Sequence, residues 1–272
     1  MMLAVDVGGT NTRVAISRDG ATLTALEMFP TPPEAAEGLT NIREAATRLA
    51  ENDTVTQAAL GIAGLFSPNR AELIASPHLP KWVGRCNRTY AEELLGVPVQ
   101  FENDAALGAL GEATFGAGRG FDIVAYITVG TGVGGARVTR GALDATHFGF
   151  EIGHQLISMN GETNELESFI SGSAFKERYG EVPTAVHNPL VWEKVAQELA
   201  EGLYNTILHW SPDVLVLGGS MMKDIPHTAI IERLRARMRL FPELPEVRAG
   251  ELGDHVGLYG ALALMHASKA TQ

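Results

Sequence analysis

The chain has 272 residues, 45% of them hydrophobic, and a formal net charge of −11. That length supports a core divided over two lobes, and the acidic balance leaves no basic footprint for nucleic acid or an anionic membrane. One cysteine, Cys86, excludes an internal disulfide and a cysteine-rich metal cluster. An acid at position 6 breaks the first apolar run, and no apolar stretch nears the roughly 20 residues of a membrane helix, so the sequence reads as cytoplasmic.

Residues 3–7 and 12–17 are apolar runs joined by Gly8-Gly9-Thr10-Asn11, the pattern of a hairpin. Arg18-Asp19-Gly20 marks a second turn, and a third strand is predicted over 21–29. The spacing of Leu39, Ile42, Ala46 and Leu49 predicts a helix over 34–52. Strand character returns over 58–62, followed by a short helix over 88–95 and a strand over 97–101. A helix over 103–115 begins at Asn103 or Asp104, either of which could cap it. After the glycine-rich break at 116–120, 123–129 and 136–140 form a second strand–glycine–strand unit. Long helical periodicity covers 188–210, a buried-type strand 214–217, and helices 228–240 and 256–267. The segment 3–15 is echoed by 126–138, a hint of internal duplication, and the mixture of hairpins and helices predicts α/β lobes with mixed sheets.

Five constellations carry chemistry. Asp6 precedes the Gly8-Gly9-Thr10 turn, whose N–H groups could cradle an anion while the carboxylate reaches a metal; an ordinary tight hairpin fits the same residues. Gly130-Thr131-Gly132-Val133-Gly134-Gly135 formally satisfies a dinucleotide fingerprint, but the sequel reads as strand where that motif needs a helix. A phosphate-presenting hairpin and a purely structural turn remain open there. Glu102-Asn103-Asp104 joins a strand to a helix, where a carboxylate is favoured as the anion, although a plain N-cap has the same look. Glu151 and His154, with Glu167 beyond them, share a face if that stretch is helical, and carboxylate–imidazole sets suit vicinal hydroxyls. Gly218-Gly219 ends a strand where backbone could approach a flat ligand.

In their order along the chain, the stretches 6–12, 61–68, 103–112, 130–135, 151–154, 166–174, 217–220 and 252–261 resemble the ROK family of sugar kinases, within the actin-like ATPase fold. The resemblance implies two actin-like, ribonuclease H-like lobes with mixed sheets flanked by helices and a cleft between them. Residues 1–115 would form a small N-terminal lobe completed by the helix over 256–272, and 116–255 a large C-terminal lobe. It implies Asp6, Gly8, Gly9, Thr10 and Asn11 as the first phosphate motif, with Asp6 approaching an ATP-bound Mg²⁺ through water. Thr131 and Gly132 would be the second phosphate motif, and Gly218 and Gly219 the adenosine motif. Asn103, Glu151, His154 and Glu167, with the Gly134 backbone, would hold the sugar, and Asp104 would be the catalytic base. ATP and Mg²⁺, a homodimer, and transfer to the primary hydroxyl of a glucose-like hexose follow from the same resemblance, an N-acetylhexosamine being the alternative substrate.

Two departures stand out. The cysteines of the family's zinc segment are absent, so no structural zinc is expected and His154 is free to touch sugar. Ala63 replaces a common proline, and His78 a common asparagine before Leu79-Pro80. A sugar-sensing regulator of the family would carry a DNA-binding module ahead of the first strand; the strand starting near Leu3 and the acidic charge speak against that reading.

Overall fold

The computed structural model describes residues 1–159 and 161–269. The run Met2 to Val5 is fully buried, as expected of a strand covered on both faces. It forms β1 (Met2–Val7), which turns into β2 (Asn11–Ser17) and then β3 (Ala25–Pro30). Helix α1 (Ala35–Ala50) leads to β4 (Gln57–Ile62), and a small hairpin of β5 (Leu65–Phe66) and β6 (Leu73–Ala75) follows. Helix α2 (Arg88–Leu95), β7 (Val99–Asn103) and α3 (Asp104–Phe115) complete the first half. The second half opens with β8 (Ile123–Val129), β9 (Val133–Thr139) and β10 (Ala142–Leu143). A hairpin of β11 (Leu156–Met159) and β12 (Glu162–Glu165) precedes α4 (Leu166–Ile170), α5 (Gly172–Tyr179) and the long α6 (Pro189–Trp210). Then come β13 (Val214–Gly218), α7 (His227–Arg237), β14 (Glu246–Ala249) and α8 (Val256–Lys269).

Two five-stranded sheets result, ordered β3-β2-β1-β4-β7 and β10-β9-β8-β13-β14. In each, the first three strands pair antiparallel and the last two join in parallel. The two lobes therefore repeat one topology, and the sequence echo corresponds to the hairpins β1–β2 and β8–β9. This is the actin-like α/β architecture with mixed sheets.

Helices α3 and α8 lie between the sheets. Leu107, Leu258, Leu262 and Met265 pack on Met2, Ala4 and Ala59 of the first sheet. Ala109, Leu110 and Ala263 pack on Val124, Tyr126 and Val216 of the second. The two helices touch backbone to backbone, and a Cβ on Gly260 would stand only 1.9 Å from the Leu107 carbonyl oxygen. Glu112 on α3 is buried, and its carboxylate accepts from the N–H groups of Ala117, Glu251 and Leu252 at 2.8, 3.2 and 3.0 Å. One side chain thus closes both chain crossings between the lobes.

Several boundaries differ from the sequence reading. The third strand starts at Ala25 because Asp19 Oδ1 accepts from Ala21 and Thr22 N–H and holds those residues in a turn. Strand β7 runs on to Asn103 because Glu102 and Asn103 pair with Gly61 and Ile62. Strand β9 starts at Val133, so Gly134 and Gly135 belong to the strand and the turn is only 130–132. Helix α7 ends at Arg237 and leaves Leu240 exposed. The hairpin β5–β6, the hairpin β11–β12 and strand β14 have no counterpart in the sequence reading.

Gly260→Val should destabilise the protein by about 3 kcal/mol, since the α3–α8 contact has no room for a branched side chain. Urea unfolding of the variant beside the wild type measures it, and an unchanged midpoint would contradict the backbone contact.

Candidate active site

The junction of β7 and α3 fixes the centre of the site. Asn103 is the N-cap: it has extended backbone, and its side-chain oxygen accepts from Ala106 N–H at 3.0 Å. Its Nδ2 donates to the Gly64 carbonyl at 3.0 Å. Capping by Asn103 leaves Asp104 as the first helical residue, with Oδ1 accepting from Ala105 N–H at 2.9 Å. Desolvation raises the Asp104 pKa above the usual carboxylate range, and the helix N–H groups and the charge of His78 oppose it. The sequence alone suggested a base favoured as the anion; desolvation outweighs the helix terminus.

Asp6 lies on β1 beside the same corner, with Arg13 of β2 at 3.6 Å. Its pKa is pushed up to about 7, first by burial and then by the charge of Asp104, with Arg13 opposing. The adjoining turn is held from outside: Thr31 Oγ1 donates to the Gly8 carbonyl at 2.7 Å, and Thr31 N–H donates to the Thr10 carbonyl at 2.9 Å. Gly8 N–H closes the hairpin on the Asn11 carbonyl at 3.0 Å, and Gly9 and Thr10 remain exposed. His78 leans on this turn, where a Cβ on Gly9 would lie 2.8 Å from His78 Cβ.

The second lobe meets this corner through β9. A Cβ on Gly134 would lie 2.9 Å from Ala105 Cβ, so glycine lets β9 reach the first turn of α3. The 130–132 turn is tied to α5, whose Gly172 N–H and Ser173 Oγ donate to the Gly130 and Thr131 carbonyls at 2.8 and 3.0 Å. Gly219 has φ +94° and presses on the Val129 backbone, which sets the Gly218-Gly219 pair beside the 130–132 turn.

Glu151 and His154 flank a single 3₁₀ turn, with His154 N–H donating to the Glu151 carbonyl at 3.1 Å. The Glu151 pKa is raised by desolvation and by Asp104 and Glu167, and lowered by His154, which puts all four in one electrostatic neighbourhood. Glu167 anchors its carboxylate on Val133 N–H at 2.6 Å. His154 Nδ1 pairs with Glu165 Oε2 at 3.1 Å, a partner from β12 that the sequence did not single out. Asn103 and Glu151 line one pocket between the lobes, together with Arg70, Gly135 and Phe148.

The sequence matches the ROK family over residues 2–268. The chain belongs to the ROK family. A glucokinase of Thermotoga maritima is 26% identical, over 97% of this chain and 96% of that protein. The ROK hexokinase of Thermus thermophilus superposes with a TM-score of 0.82 at 26% identity, covering 98% and 99% of the two chains. A ROK glucokinase from Streptomyces griseus, solved with glucose and AMPPNP, gives 0.82 at 25%, covering 97% and 98%. The family is broader than these: an N-acetyl-D-glucosamine kinase of Yersinia pseudotuberculosis is 24% identical over 99% of this chain and 100% of its own. A ROK family transcriptional regulator, a homologue of the E. coli MLC protein, shares the fold with a TM-score of 0.80 at 19% identity, covering 98% and 81%.

Within this ROK fold, Arg70 and His78, like Glu165, lie near the site and were not assigned to it from sequence. Arg70 enters the pocket from the β5–β6 hairpin, and nothing local marks it, since its partners are 32 to 77 positions away. His78 was visible as a departure from the family pattern, and its place beside Gly9 and Asp104 gives that departure a location.

The raised pKa of Asp6 has a consequence for stability. Folded Asp6 holds a proton up to about pH 7, whereas the unfolded carboxyl releases it near 3.8. Between those values the unfolded carboxyl is ionised while the folded one keeps its proton, so stability falls as pH rises from about 4 to about 7 and levels off above it. Asp6→Asn should leave the ligand-free protein as stable as wild type at pH 4 and more stable at pH 8, by an amount on the order of a few kcal/mol. Urea unfolding of both proteins across that range checks it; a gain independent of pH would contradict the assignment.

Proposed function

We propose that this ROK-family protein is an ATP-dependent kinase that phosphorylates a glucose-like hexose at its primary hydroxyl. The observation that carries the reading is the position of Asp104. It couples electrostatically to Asp6 at the first glycine turn and to Glu151 on the opposite lobe. A base in that position can face a terminal phosphate on one side and a polyol on the other.

Asp104 accepts the proton of the sugar hydroxyl as its oxygen bonds to the γ-phosphorus and the bridge to ADP breaks. In a loose transition state the proton moves late, so a carboxylate suffices. The exposed Gly9-Thr10 turn and the partly exposed Thr131-Gly132 turn would offer N–H groups to phosphate oxygens, and the Gly218-Gly219 pair a flat approach to adenosine. Asp6 is a recessed carboxylate with a raised pKa, and a cation brought close by the nucleotide would keep it ionised. Magnesium carried by the nucleotide would neutralise phosphate charge there, with Asp6 as its protein-side anchor. Asn103, Glu151, His154, Glu167 and the Gly134 backbone would grip the sugar. Two carboxylates and an imidazole suit hydroxyl donors and repel anionic substrates.

One observation favours a second reading, an N-acetylhexosamine kinase. The pocket beside Asn103 and Glu151 is walled by Leu143, Phe148 and Phe150, which would accept an acetyl group.

A coupled ADP-release screen over glucose, mannose, fructose, allose, N-acetylglucosamine and N-acetylmannosamine tests the reading, and the absence of turnover on all of them would end it. Asp104→Asn should cut kcat by about 10² or more while sugar affinity, followed by titration calorimetry, stays within a few-fold. Near-normal turnover in that variant would remove Asp104 from the role of base.

A further inference from the structure

The β5–β6 hairpin turns at Ser67-Pro68-Asn69-Arg70, with Arg70 N–H donating to the Ser67 carbonyl at 2.7 Å. Arg70 closes that turn with φ +54°, a left-handed conformation that costs a non-glycine residue about 1 kcal/mol. The strain is held in place. Arg88 Nη2 donates to the carbonyls of Asn69 and Arg70 at 3.1 and 3.0 Å, and Ser67 Oγ accepts from the N–H groups of Ala71 and Glu72, both at 3.1 Å. Glycine would relieve the turn, so the cost of arginine there is set against what its side chain contacts.

That side chain spans the cleft. Arg70 Nε donates to both oxygens of Glu102 at 3.1 Å, and Glu102 Oε1 in turn accepts from Asn103 N–H at 2.8 Å. On the other lobe Arg70 Nη2 donates to Thr146 Oγ1 at 3.2 Å, and Nη1 to the His147 carbonyl at 3.4 Å. The loop it reaches runs from Asp144 to Glu151. Its near end is tied to β9, where Asp144 accepts from Arg137 and from Thr139 Oγ1. Its far end is seated by Phe150 against Trp210, 4.7 Å between ring centroids. Between those anchors the loop is met by a guanidinium fixed to the strand that bears Asn103.

We infer that Arg70 is a positioning residue that sets the distance between the two walls of the sugar pocket, Asn103 on one lobe and Glu151 on the other. It acts through Glu102 and the 144–151 loop, and the inference rests on the sugar-kinase reading of this site. A planar guanidinium can serve Glu102, Thr146 and the His147 carbonyl together, whereas an ammonium group serves one partner well. Lysine at this position therefore keeps the ion pair and loses the bridge between lobes.

The test compares the full-length wild type with Arg70→Lys, Arg70→Met and Thr146→Val. Hydrogen exchange of the ligand-free proteins reads the bridge directly: amides of 144–150 should exchange about tenfold faster in both Arg70 variants. In the ADP-release assay the KM for the hexose should rise about tenfold in both, with kcat within threefold and the KM for ATP unchanged. Thr146→Val, which removes a single bond, should give a smaller shift in the same direction. Arg70→Lys and Thr146→Val carry the test if Arg70→Met fails to fold. Unchanged exchange in Arg70→Lys, or a hexose KM unchanged when exchange has risen, would overturn the inference while leaving the kinase reading intact. A wild-type protein that phosphorylates none of the sugars would remove both together.

Discussion

Asp6 and Asp104 recede from water at the seam between the lobes, and the charge on Asp104 makes Asp6 harder to ionise. Desolvation dominates both, and the groups that oppose it are few: Arg13 beside Asp6, and the helix N–H groups with His78 beside Asp104. A pair of carboxylates in that situation is a standing electrostatic debt of the empty site. A ligand that brings a cation relieves it, and one that brings only negative charge makes it worse. On the kinase reading, the local charge of the protein would favour a metal-bearing anion over a bare one. The backbone N–H groups of the glycine turns would then complete the neutralisation that the side chains leave undone.

The fold creates that seam by repetition. Each sheet begins with an antiparallel hairpin whose turn is rich in glycine, and each continues with parallel strands that end near the same cleft. Sandwiching α3 and α8 between the sheets turns two copies of one topology into a single site. The first turn of α3 carries Asp104 and touches β9 at Gly134, and the first turn of α8 approaches Asp6, where a Cβ on Gly257 would lie 3.0 Å from the carboxyl carbon. The same close packing that stabilises the helix pair thus fixes the mutual position of the acids. A shift of one helix along the other would move chemistry and core together.

How much of this could be read from sequence follows the range of the interactions involved. The hairpins at 3–17 and 123–140 and their duplication were legible, because apolar alternation and glycine turns are local signals. The strand–helix junction at 103–104 was legible too, with the choice of cap left open until the Asn103 side chain was seen to accept from Ala106. Strand β14 was not legible: Glu246 to Ala249 has no apolar run and becomes a strand because β13 offers it a parallel edge. The hairpin β11–β12 is exposed and short, with Leu156 largely in solvent, so hydrophobic pattern carries little information there. Within the site, motif order pointed to Asp6, Asn103, Asp104, Glu151 and Glu167 as a group. The pairing of His154 with Glu165 and the reach of Arg70 to Thr146 depend on tertiary contact alone.

The ROK fold also serves a transcriptional regulator, so the fold alone does not decide between catalysis and sensing. The arrangement of charge does bear on that choice. A sensor needs a wall that grips sugar hydroxyls, and Glu151, Glu167 and His154 would supply one without help from Asp6. It gains nothing from a second carboxylate held at a raised pKa beside the first, since that pair only weakens the empty fold. In the proposed kinase the pair would have a use: Asp6 would anchor the cation of the nucleotide, and Asp104 at the helix terminus would take a proton. An acid that holds a cation beside an acid that takes a proton is the division of labour that phosphoryl transfer requires and sugar binding does not.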